Sequence, residues 1–287
     1  MSRYRYTTPV PPKSATGLVA EVYRQQARDF GGTPMPLFMA LSPAPDLLAA
    51  VWSLMRESLL TGPGDAVGKE LVAHGVSTAN KCAYCMDAHT VLLHANGAGD
   101  VAEALAKGRE LSPEHKALHD WGLTTSGAFP FPAGEVAGYG GTALAFHIVN
   151  RLISSTMDER FLPGGAQRIG VVRKVGGRAF ARTVAGRGGP GESIALLQDT
   201  GPAPVWAGLA GPGLAALRAI TRKVGPLDEP AATLARKAAA DPHAVTDADI
   251  AAFAGDEGDL LRVLAFGAMS AVDRVEALIA GAFAATR

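Results

Sequence analysis

The sequence predicts an all-α protein, and three observations support that prediction. Alanine and leucine are abundant throughout the chain, and both residues favour helices. Apolar residues recur mostly at intervals of three and four positions, which is the spacing of one helix face. No segment shows a sustained alternation of apolar and polar residues bounded by hairpin turns, so we do not expect strands.

Composition bounds the class of protein. At 287 residues with 48% hydrophobic residues, the chain is long enough for one large or two modest domains with a buried core. Its 27 basic and 27 acidic residues cancel, which favours neither nucleic acid nor an anionic membrane as a partner. Because the first residues lack an apolar signal segment and no run resembles a membrane span, we expect a cytoplasmic protein.

The first elements follow from the apolar spacing. Residues 1–16 are polar and rich in proline, which predicts an extended N-terminal arm. A helical domain, which contains the CxxC pair of the chain, is predicted for residues 17–160. Its first half contains two amphipathic helices, which carry Leu18, Val22 and Phe30, and then Leu47, Leu48, Val51, Leu54 and Met55.

Capping signals predict where the later helices of this domain begin. Asp65 follows a Gly-Pro-Gly turn and is the predicted N-cap of the next helix. Asp100 with Glu103 fits a capping box that opens a short helix ending near Lys107. Ser112 followed by Pro113 fits an N-cap and first helical position. A longer helix is predicted from about residue 134 to 155.

Residues 161–190 differ in character from both flanking regions. Glycine is frequent there, and basic residues occur without an acidic one up to Pro190: Arg168, Arg173, Lys174, Arg178, Arg182 and Arg187. We interpret this stretch as a linker with a solvated basic face. The alternative is a binding site for an acidic partner.

The C-terminal region, residues 191–287, is predicted to be helical again and is a candidate degenerate repeat of the first domain. Aligning Ala73-His74-Gly75 with Ala265-Phe266-Gly267 relates the two regions. In that alignment Arg262, Arg274, Ala277 and Gly281 occupy the positions of the four candidate reactive residues, Glu70, Cys82, Cys85 and His89. We therefore expect this region to serve packing and subunit assembly rather than chemistry.

The chemistry is concentrated in residues 70–89, ELVAHGVSTANKCAYCMDAH, which hold both cysteines of the chain. Cys82 and Cys85 are three residues apart, so on a helix their sulfur atoms lie within one turn. His89 follows Cys85 by four residues and lies on the same face, within reach of its sulfur. A bend near residues 77–81 would fold the preceding helix back, so that Glu70 can hold the imidazole. This set combines a nucleophile, a base and an orienting carboxylate.

The spacing Glu-x11-Cys-x2-Cys-x3-His resembles the signature of the alkylhydroperoxidase D family, within the carboxymuconolactone decarboxylase-like superfamily. The resemblance covers residues 65–100 and extends to about residue 160, where AFHIVNRLI is similar to the Phe-x3-Asn-Arg helix of relatives. His147 in that run is a candidate for the pocket. One departure is Tyr84, which stands between the cysteines where relatives often have histidine, and it bears on efficiency and preferred substrate.

The resemblance implies a helical alkylhydroperoxidase D-like fold, a homo-oligomer and a thiol-dependent peroxidase acting on hydrogen peroxide or organic hydroperoxides. His89, oriented by Glu70, would take the proton of Cys85, whose thiolate attacks the peroxide. Cys82 would then condense with the sulfenic acid to form a disulfide. Relatives suggest a lipoyl-type or other small protein dithiol as the reductant. No metal, haem or flavin cofactor is required.

Other interpretations of the motif remain open. The protein could be a disulfide reductase that acts on a dithiol carrier. It could also be a non-enzymatic redox sensor, or a zinc-binding module in which His89 and Glu70 complete a ligand set with the cysteines. The least specific alternatives are that the cysteines are small buried hydrophobic residues and that Glu70 is an exposed carboxylate beside Lys69. Lactone decarboxylation, the other activity of the superfamily, does not call for a cysteine pair.

Overall fold

The computed structural model describes residues 3–32, 34–158, 171, 175–178, 181, 188–198 and 201–286. These residues form helices and connecting turns without a named strand, which confirms the all-α prediction. The helices are α1 (Gly17–Phe30), α2 (Pro36–Ala40), α3 (Pro45–Met55), α4 (Ala66–Ala79), α5 (Ala83–Ala95), α6 (Gly99–Ala106), α7 (Pro113–Thr124), α8 (Val136–Thr156), α9 (Gly211–Arg222), α10 (Glu229–Ala240), α11 (Asp247–Ala252) and α12 (Glu257–Ala284). A π-helical turn, Arg56–Leu60, continues α3.

Most of the predicted helix starts are confirmed. The Asp65 carboxylate accepts a hydrogen bond from the amide of Gly68 at 2.7 Å and caps α4. The Ser112 hydroxyl accepts one from the amide of His115 at 3.3 Å and caps α7, with a proline at the first position. Before the motif there are three helices rather than two, because the five-residue α2 lies between the two amphipathic ones.

The predicted capping box at Asp100 is wrong. Helix α6 begins at Gly99, its N-cap residue is Ala98, and no side chain caps it. Asp100 therefore lies inside the first turn, where its charge still favours the positive end of the helix. Glu103 turns away from the helix start and pairs with Lys107 at 3.0 Å and with His94 at 3.5 Å.

Helix α8 lies at the centre of the fold. It packs against α3, α4 and α12, and all of its residues except Ala137 and Arg151 are buried. A helix buried all round needs few charges, and the run from Val136 contains almost none. The cysteine motif on α4 and α5 therefore lies against a helix that is buried almost throughout.

A close helix crossing joins α4 to α7. A Cβ atom on Gly75 would lie 2.3 Å from the carbonyl oxygen of His119, and one on Gly122 would lie 2.5 Å from that of Val72. Only glycine permits this approach, since a larger residue would force the backbones apart. The crossing brings α7 against the helix that carries Glu70.

The two ends of the chain pack onto the same core. The described residues of the N-terminal arm include one short 3₁₀ helix, Pro12–Ser14, and Tyr4 forms an isolated bridge with Met157 at the end of α8. The amide and hydroxyl of Thr8 donate hydrogen bonds of 2.7 and 2.9 Å to Glu257 on α12. Helix α9 packs on α3, and α12 packs on α8.

The predicted linker and repeat are tested only in part. Most of residues 161–190 lie outside the described residues. The stretch from Arg262 to Gly281, aligned above with the motif, lies inside the single uninterrupted helix α12. The equivalence of the two regions stays a prediction. Among the described residues, no helix is both long enough and apolar enough to cross a membrane.

Candidate active site

The chain bends between α4 and α5, where the predicted contact of Glu70 with His89 requires a bend. Helix α4 ends at Ala79 and α5 begins at Ala83, with Cys82 as its N-cap residue. Lys81 adopts a left-handed backbone with φ 57°, a conformation that costs an L-residue about 1–2 kcal/mol. This turn folds α5 back along α4, so Glu70 and His89 meet although 19 positions separate them.

Cys82 and Cys85 form a disulfide across the first turn of α5, with their Cα atoms 5.3 Å apart. Cys82 is 0% exposed and Cys85 is 2% exposed. The pair is therefore shielded, and a reductant reaches it only if neighbouring groups move.

The imidazole of His89 is held by Glu70. Nδ1 of His89 lies 2.6 Å from Oε2 of Glu70, and both side chains are buried. A carboxylate at this distance accepts the Nδ1 proton, which leaves Nε2 as the ring atom with a free lone pair. Nε2 is buried and has no hydrogen-bond partner among the residues that the structure describes. His89 is thus arranged as a base with one oriented acceptor nitrogen.

Glu70 is not the exposed carboxylate beside Lys69 that the least specific interpretation supposed. Both residues are 2% exposed. The ammonium of Lys69 points away from the site and donates to the carbonyl oxygens of Gly62 at 2.6 Å and Ser58 at 3.2 Å. Lys69 ties α4 to the π-helical turn, while Glu70 on the next position faces the cysteine helix.

Cys85 and His89 line a common cavity of about 40 Å³. That volume is on the order of one or two water molecules. The ring of Phe146 packs edge-on against His89 with 4.3 Å between ring centroids, and most of the remaining wall is apolar. The lining residues are Phe30, Met35, Leu37, Phe38, Met55, Leu59, Tyr84, Cys85, Ala88, His89, Leu92, Phe146, Val149 and Ile153.

Tyr84 takes the place between the cysteines and lines the same cavity. Its side chain is almost fully buried, and burial raises the pKa of its phenol well above the usual value. The phenol is therefore neutral at physiological pH and does not supply the charge that a histidine at this position could carry.

His147 does not reach the cavity. Its Nε2 lies 3.1 Å from the hydroxyl of Thr125, and its Nδ1 lies 3.2 Å from a guanidinium nitrogen of Arg151. Burial, and then the charge of Arg151, lowers the pKa of His147 to about 3, so its imidazole is neutral. Of the run that resembled the family's later helix, Phe146, Val149 and Ile153 form the cavity wall.

Sequence reasoning missed two parts of the site. The wall supplied by Phe30, Met35, Leu37 and Phe38 precedes the motif by many residues, and only the tertiary packing brings it there. The second is the role of Asn150, which the sequence singled out only as part of the Phe-x3-Asn-Arg run and which contacts the bend between α4 and α5. A signal for this role existed, since an amide in a largely apolar helix needs a specific partner.

The part of the chain that the structure describes offers no ready metal site. Among the described residues, no group of three or more His, Cys, Asp or Glu side chains is arranged to hold an ion. The two cysteines are bonded to each other and Glu70 is engaged with His89.

Comparison with known proteins finds a family that matches the motif region and a relative that matches most of the chain. Residues 45–108 match the carboxymuconolactone decarboxylase family. The chain is also 39% identical over 204 residues to alkyl hydroperoxide reductase Rv2159c of Mycobacterium tuberculosis. That match covers 69% of this chain and 59% of the relative, so the chain spans less than two thirds of the relative's length. No solved structure gives a significant match.

Proposed function

Because the chain is an alkylhydroperoxidase D-like protein of the carboxymuconolactone decarboxylase-like superfamily, we propose that it is a thiol-dependent peroxidase. The observation that carries the proposal is the buried contact of 2.6 Å between His89 and Glu70, combined with a cavity that His89 and Cys85 share. The name of the relative, an alkyl hydroperoxide reductase, supports the same class of reaction.

In the reduced protein, His89 takes the proton of the Cys85 thiol on Nε2, because only the thiolate is a competent nucleophile. The thiolate attacks one peroxide oxygen and the O–O bond breaks. The departing alkoxide or hydroxide takes the proton from His89 and leaves as an alcohol or water. Cys85 is then a sulfenic acid.

Cys82 completes the oxidative half of the cycle. Its sulfur attacks the sulfenic sulfur of Cys85, water leaves, and the disulfide seen in the structure forms. A dithiol then reopens it by exchange and is itself oxidised to a disulfide. We propose a slender dithiol, of lipoyl type or on a small protein, since both sulfur atoms are buried.

The cavity bears on the choice of hydroperoxide. A volume of about 40 Å³ accommodates a molecule not much larger than water. Hydrogen peroxide would fit in it without rearrangement, whereas an organic hydroperoxide would have to displace apolar side chains such as Met35 and Leu37. The apolar wall would then suit its hydrocarbon tail.

The decisive experiment oxidises the fully reduced protein with one equivalent of hydrogen peroxide and counts free thiols. We expect both thiols to disappear with one peroxide consumed, and a peptide containing the Cys82–Cys85 disulfide to appear in mass spectra. Two free thiols after the peroxide has been left in contact with the protein would refute the proposal.

The disulfide in the structure also supports a second candidate, a disulfide reductase acting on a dithiol carrier. In that case the reduced pair would exchange rapidly with a small disulfide and react with peroxide only slowly. Comparing the two second-order rate constants on the same preparation separates the candidates.

A further inference from the structure

Two residues other than glycine have positive φ among the described residues, Lys81 at 57° and Thr125 at 47°. Lys81 immediately precedes Cys82, and a left-handed backbone at such a position persists only if the surroundings enforce it. Thr125 and Asn80, the residue before Lys81, each contact a polar side chain of one helix, α8, whose other side chains are mostly apolar. The contact between Asn80 and Asn150 lies at the turn before Cys82.

Asn150 spans this turn. Its Oδ1 accepts a hydrogen bond of 3.0 Å from the side-chain amide of Asn80, which lies after the end of α4. Its Nδ2 donates a bond of 3.1 Å to the hydroxyl of Ser77, in the last turn of α4. Asn150 is 0% exposed, so water does not replace either contact readily.

Ser77 connects Asn150 to the backbone of Cys82. Its carbonyl oxygen accepts the amide of Cys82 at 2.9 Å, and its hydroxyl donates to the carbonyl of Ala73 at 2.7 Å. The residues on both sides of Lys81 are therefore fixed, Asn80 by its side chain and Cys82 by its backbone.

The remaining neighbours of Asn150 are also engaged. Nδ1 of His147 accepts from Arg151 at 3.2 Å and lies 3.4 Å from the amide nitrogen of Asn80. Its Nε2 then carries the proton and donates to Thr125 at 3.1 Å. A buried network in which each member has a partner holds one arrangement, because breaking one contact leaves another group unsatisfied.

We propose that Asn150 is a positioning residue for the cysteine pair, which holds Cys82 against Cys85 so that the disulfide closes readily. This inference rests on the proposed redox role of the two cysteines. Its physical basis is the effective concentration of one thiol near the other. This concentration falls when the segment that carries Cys82 is free to move. Cys85 lies within the first turn of α5 and keeps its place without Asn150.

The test measures the redox equilibrium of the pair against dithiothreitol. Dithiothreitol gives two electrons to the disulfide and closes its own ring, while Cys82 and Cys85 take up two protons as thiols. In Asn150→Ala we expect the equilibrium constant for reduction to rise about three- to tenfold, where tenfold corresponds to about 30 mV for a two-electron couple. Asn80→Ala, which removes one of the two contacts, should move it in the same direction.

Asn96→Ala is the matched control. Asn96 caps the other end of α5 and donates to the carbonyl of Leu92 at 3.0 Å, so the variant also loses one asparagine contact of the same helix. We expect an equilibrium constant within about twofold of wild type. If Asn150→Ala and Asn80→Ala move the equilibrium no more than Asn96→Ala, the proposal is wrong.

The role of Asn150 must be distinguished from a failure of the variant to fold and from a failure of the proposed peroxidase function. Should circular dichroism show that Asn150→Ala does not fold, Asn80→Ala decides the question, because Asn80 is only partly buried. The dithiothreitol equilibrium needs no peroxide, so it reads the role of Asn150 even if the protein proves not to be a peroxidase. If it is one, Asn150→Ala should also accumulate more Cys85 sulfinic acid in excess peroxide, since condensation with Cys82 is slower.

Discussion

At the scale of single residues, the two cysteines differ in their surroundings. Cys85 lines the cavity together with His89, whereas Cys82 lies at the start of α5 and does not contribute to the cavity wall. Under the proposed function, an incoming peroxide would therefore meet the sulfur of Cys85 first. This asymmetry supports the assignment of Cys85 as the attacking residue and Cys82 as the resolving one.

Serine substitutions of the cysteines should have different effects. Cys85→Ser should abolish peroxide turnover, because no thiolate faces the cavity. Cys82→Ser should still be oxidised once and then stop as the sulfenic acid of Cys85. Stopped-flow peroxide consumption and dimedone trapping with mass spectrometry measure both. A sulfenic acid on Cys82 in Cys85→Ser, formed at the wild-type initial rate, would reverse the assignment.

The pair of His89 and Glu70 should control the rate of thiol oxidation. His89→Phe keeps a ring against Phe146 but removes the base, and we expect a loss of about 100-fold or more at neutral pH. Glu70→Gln keeps the size and removes the charge that orients Nδ1, for which we expect about tenfold.

The pH dependence of the oxidation rate in these variants tests the relay itself. In His89→Phe the rate should climb only as the bare thiol ionises, near the reference pKa of about 8.5. In Glu70→Gln the rise should move towards alkaline values. A wild-type profile in Glu70→Gln would make Glu70 a bystander, and a wild-type profile in both variants would exclude the relay.

At the scale of elements, the π-helical turn Arg56–Leu60 connects the cavity wall to a buried ion cluster. Leu59 lines the cavity, while Arg56 and Glu57 on the same turn are fully buried in an ion cluster. Arg56 donates to Asp29 on α1 at 2.7 Å and to Glu57 at 2.6 Å. Glu57 also accepts from the hydroxyl of Ser193 at 2.6 Å. The cluster thus ties α1, the turn and the segment after residue 188 together.

This ion cluster gives the fold an acid-sensitive component. Burial alone would raise the pKa of Asp29, but hydrogen bonds from Arg28 and Arg56 outweigh it and the pKa lies below its usual value. For Glu57 burial is likewise outweighed, chiefly by hydrogen bonds from Ser193 and Gly191. A lowered folded-state pKa gives stability that is present above the unfolded values, near 4, and is lost as the pH falls through the folded ones.

Removing the cation of the cluster should be costly. Arg56→Met leaves two buried carboxylates without their shared partner, and we expect the free energy of unfolding at neutral pH to fall by about 3 kcal/mol. The loss should shrink at acidic pH, where the carboxylates are protonated. Urea unfolding at several pH values measures it.

The control for Arg56→Met is Arg236→Met, which breaks the exposed pair with Glu229 on α10. Exposed pairs contribute little, so its unfolding midpoint should stay at the wild-type value. Equal losses in the two variants would contradict the role given to the buried cluster.

At the scale of the whole molecule, the C-terminal helices stabilise the core without contributing to the cavity wall. Helix α12 packs against α8 and α10, and among the described residues none that lines the cavity lies beyond Ile153. A close crossing fixes α12 on α10, since a Cβ on Gly267 would lie 2.1 Å from the carbonyl oxygen of Ala235. Stability and chemistry should therefore respond to different substitutions.

Two glycines of α12 form a matched pair for this test. Gly267→Ala should lower the free energy of unfolding by about 1–3 kcal/mol, because the backbones must separate. Gly281→Ala meets no atom within 4 Å and should be neutral or stabilising by up to about 1 kcal/mol. Thermal unfolding distinguishes them. The oxidation rate per folded molecule should be unchanged in both, and a large loss of rate in folded Gly267→Ala would place this region in the mechanism.

Helical periodicity and the spacing of the motif were enough to predict the fold class and to single out the four motif residues. Helical periodicity and capping are local properties, so the starts of α4 and α7 and the course of α8 could be predicted from neighbouring residues. The capping box at Asp100 failed because Ala98 is the N-cap even though its side chain cannot cap the helix. The proximity of Cys82, Cys85 and His89 also follows from spacing on one helix, since residues three and four apart share a face.

The surroundings of the motif depend on how the helices pack and could not be predicted from the sequence. The approach of Glu70 to His89 depends on a left-handed turn at Lys81, which no spacing rule specifies. The cavity wall comes from α1, α2 and α8 at large sequence separations, and Asn150 reaches the turn from α8. Such contacts depend on how whole helices cross, and crossing is set by the packing of many side chains at once rather than by any local pattern.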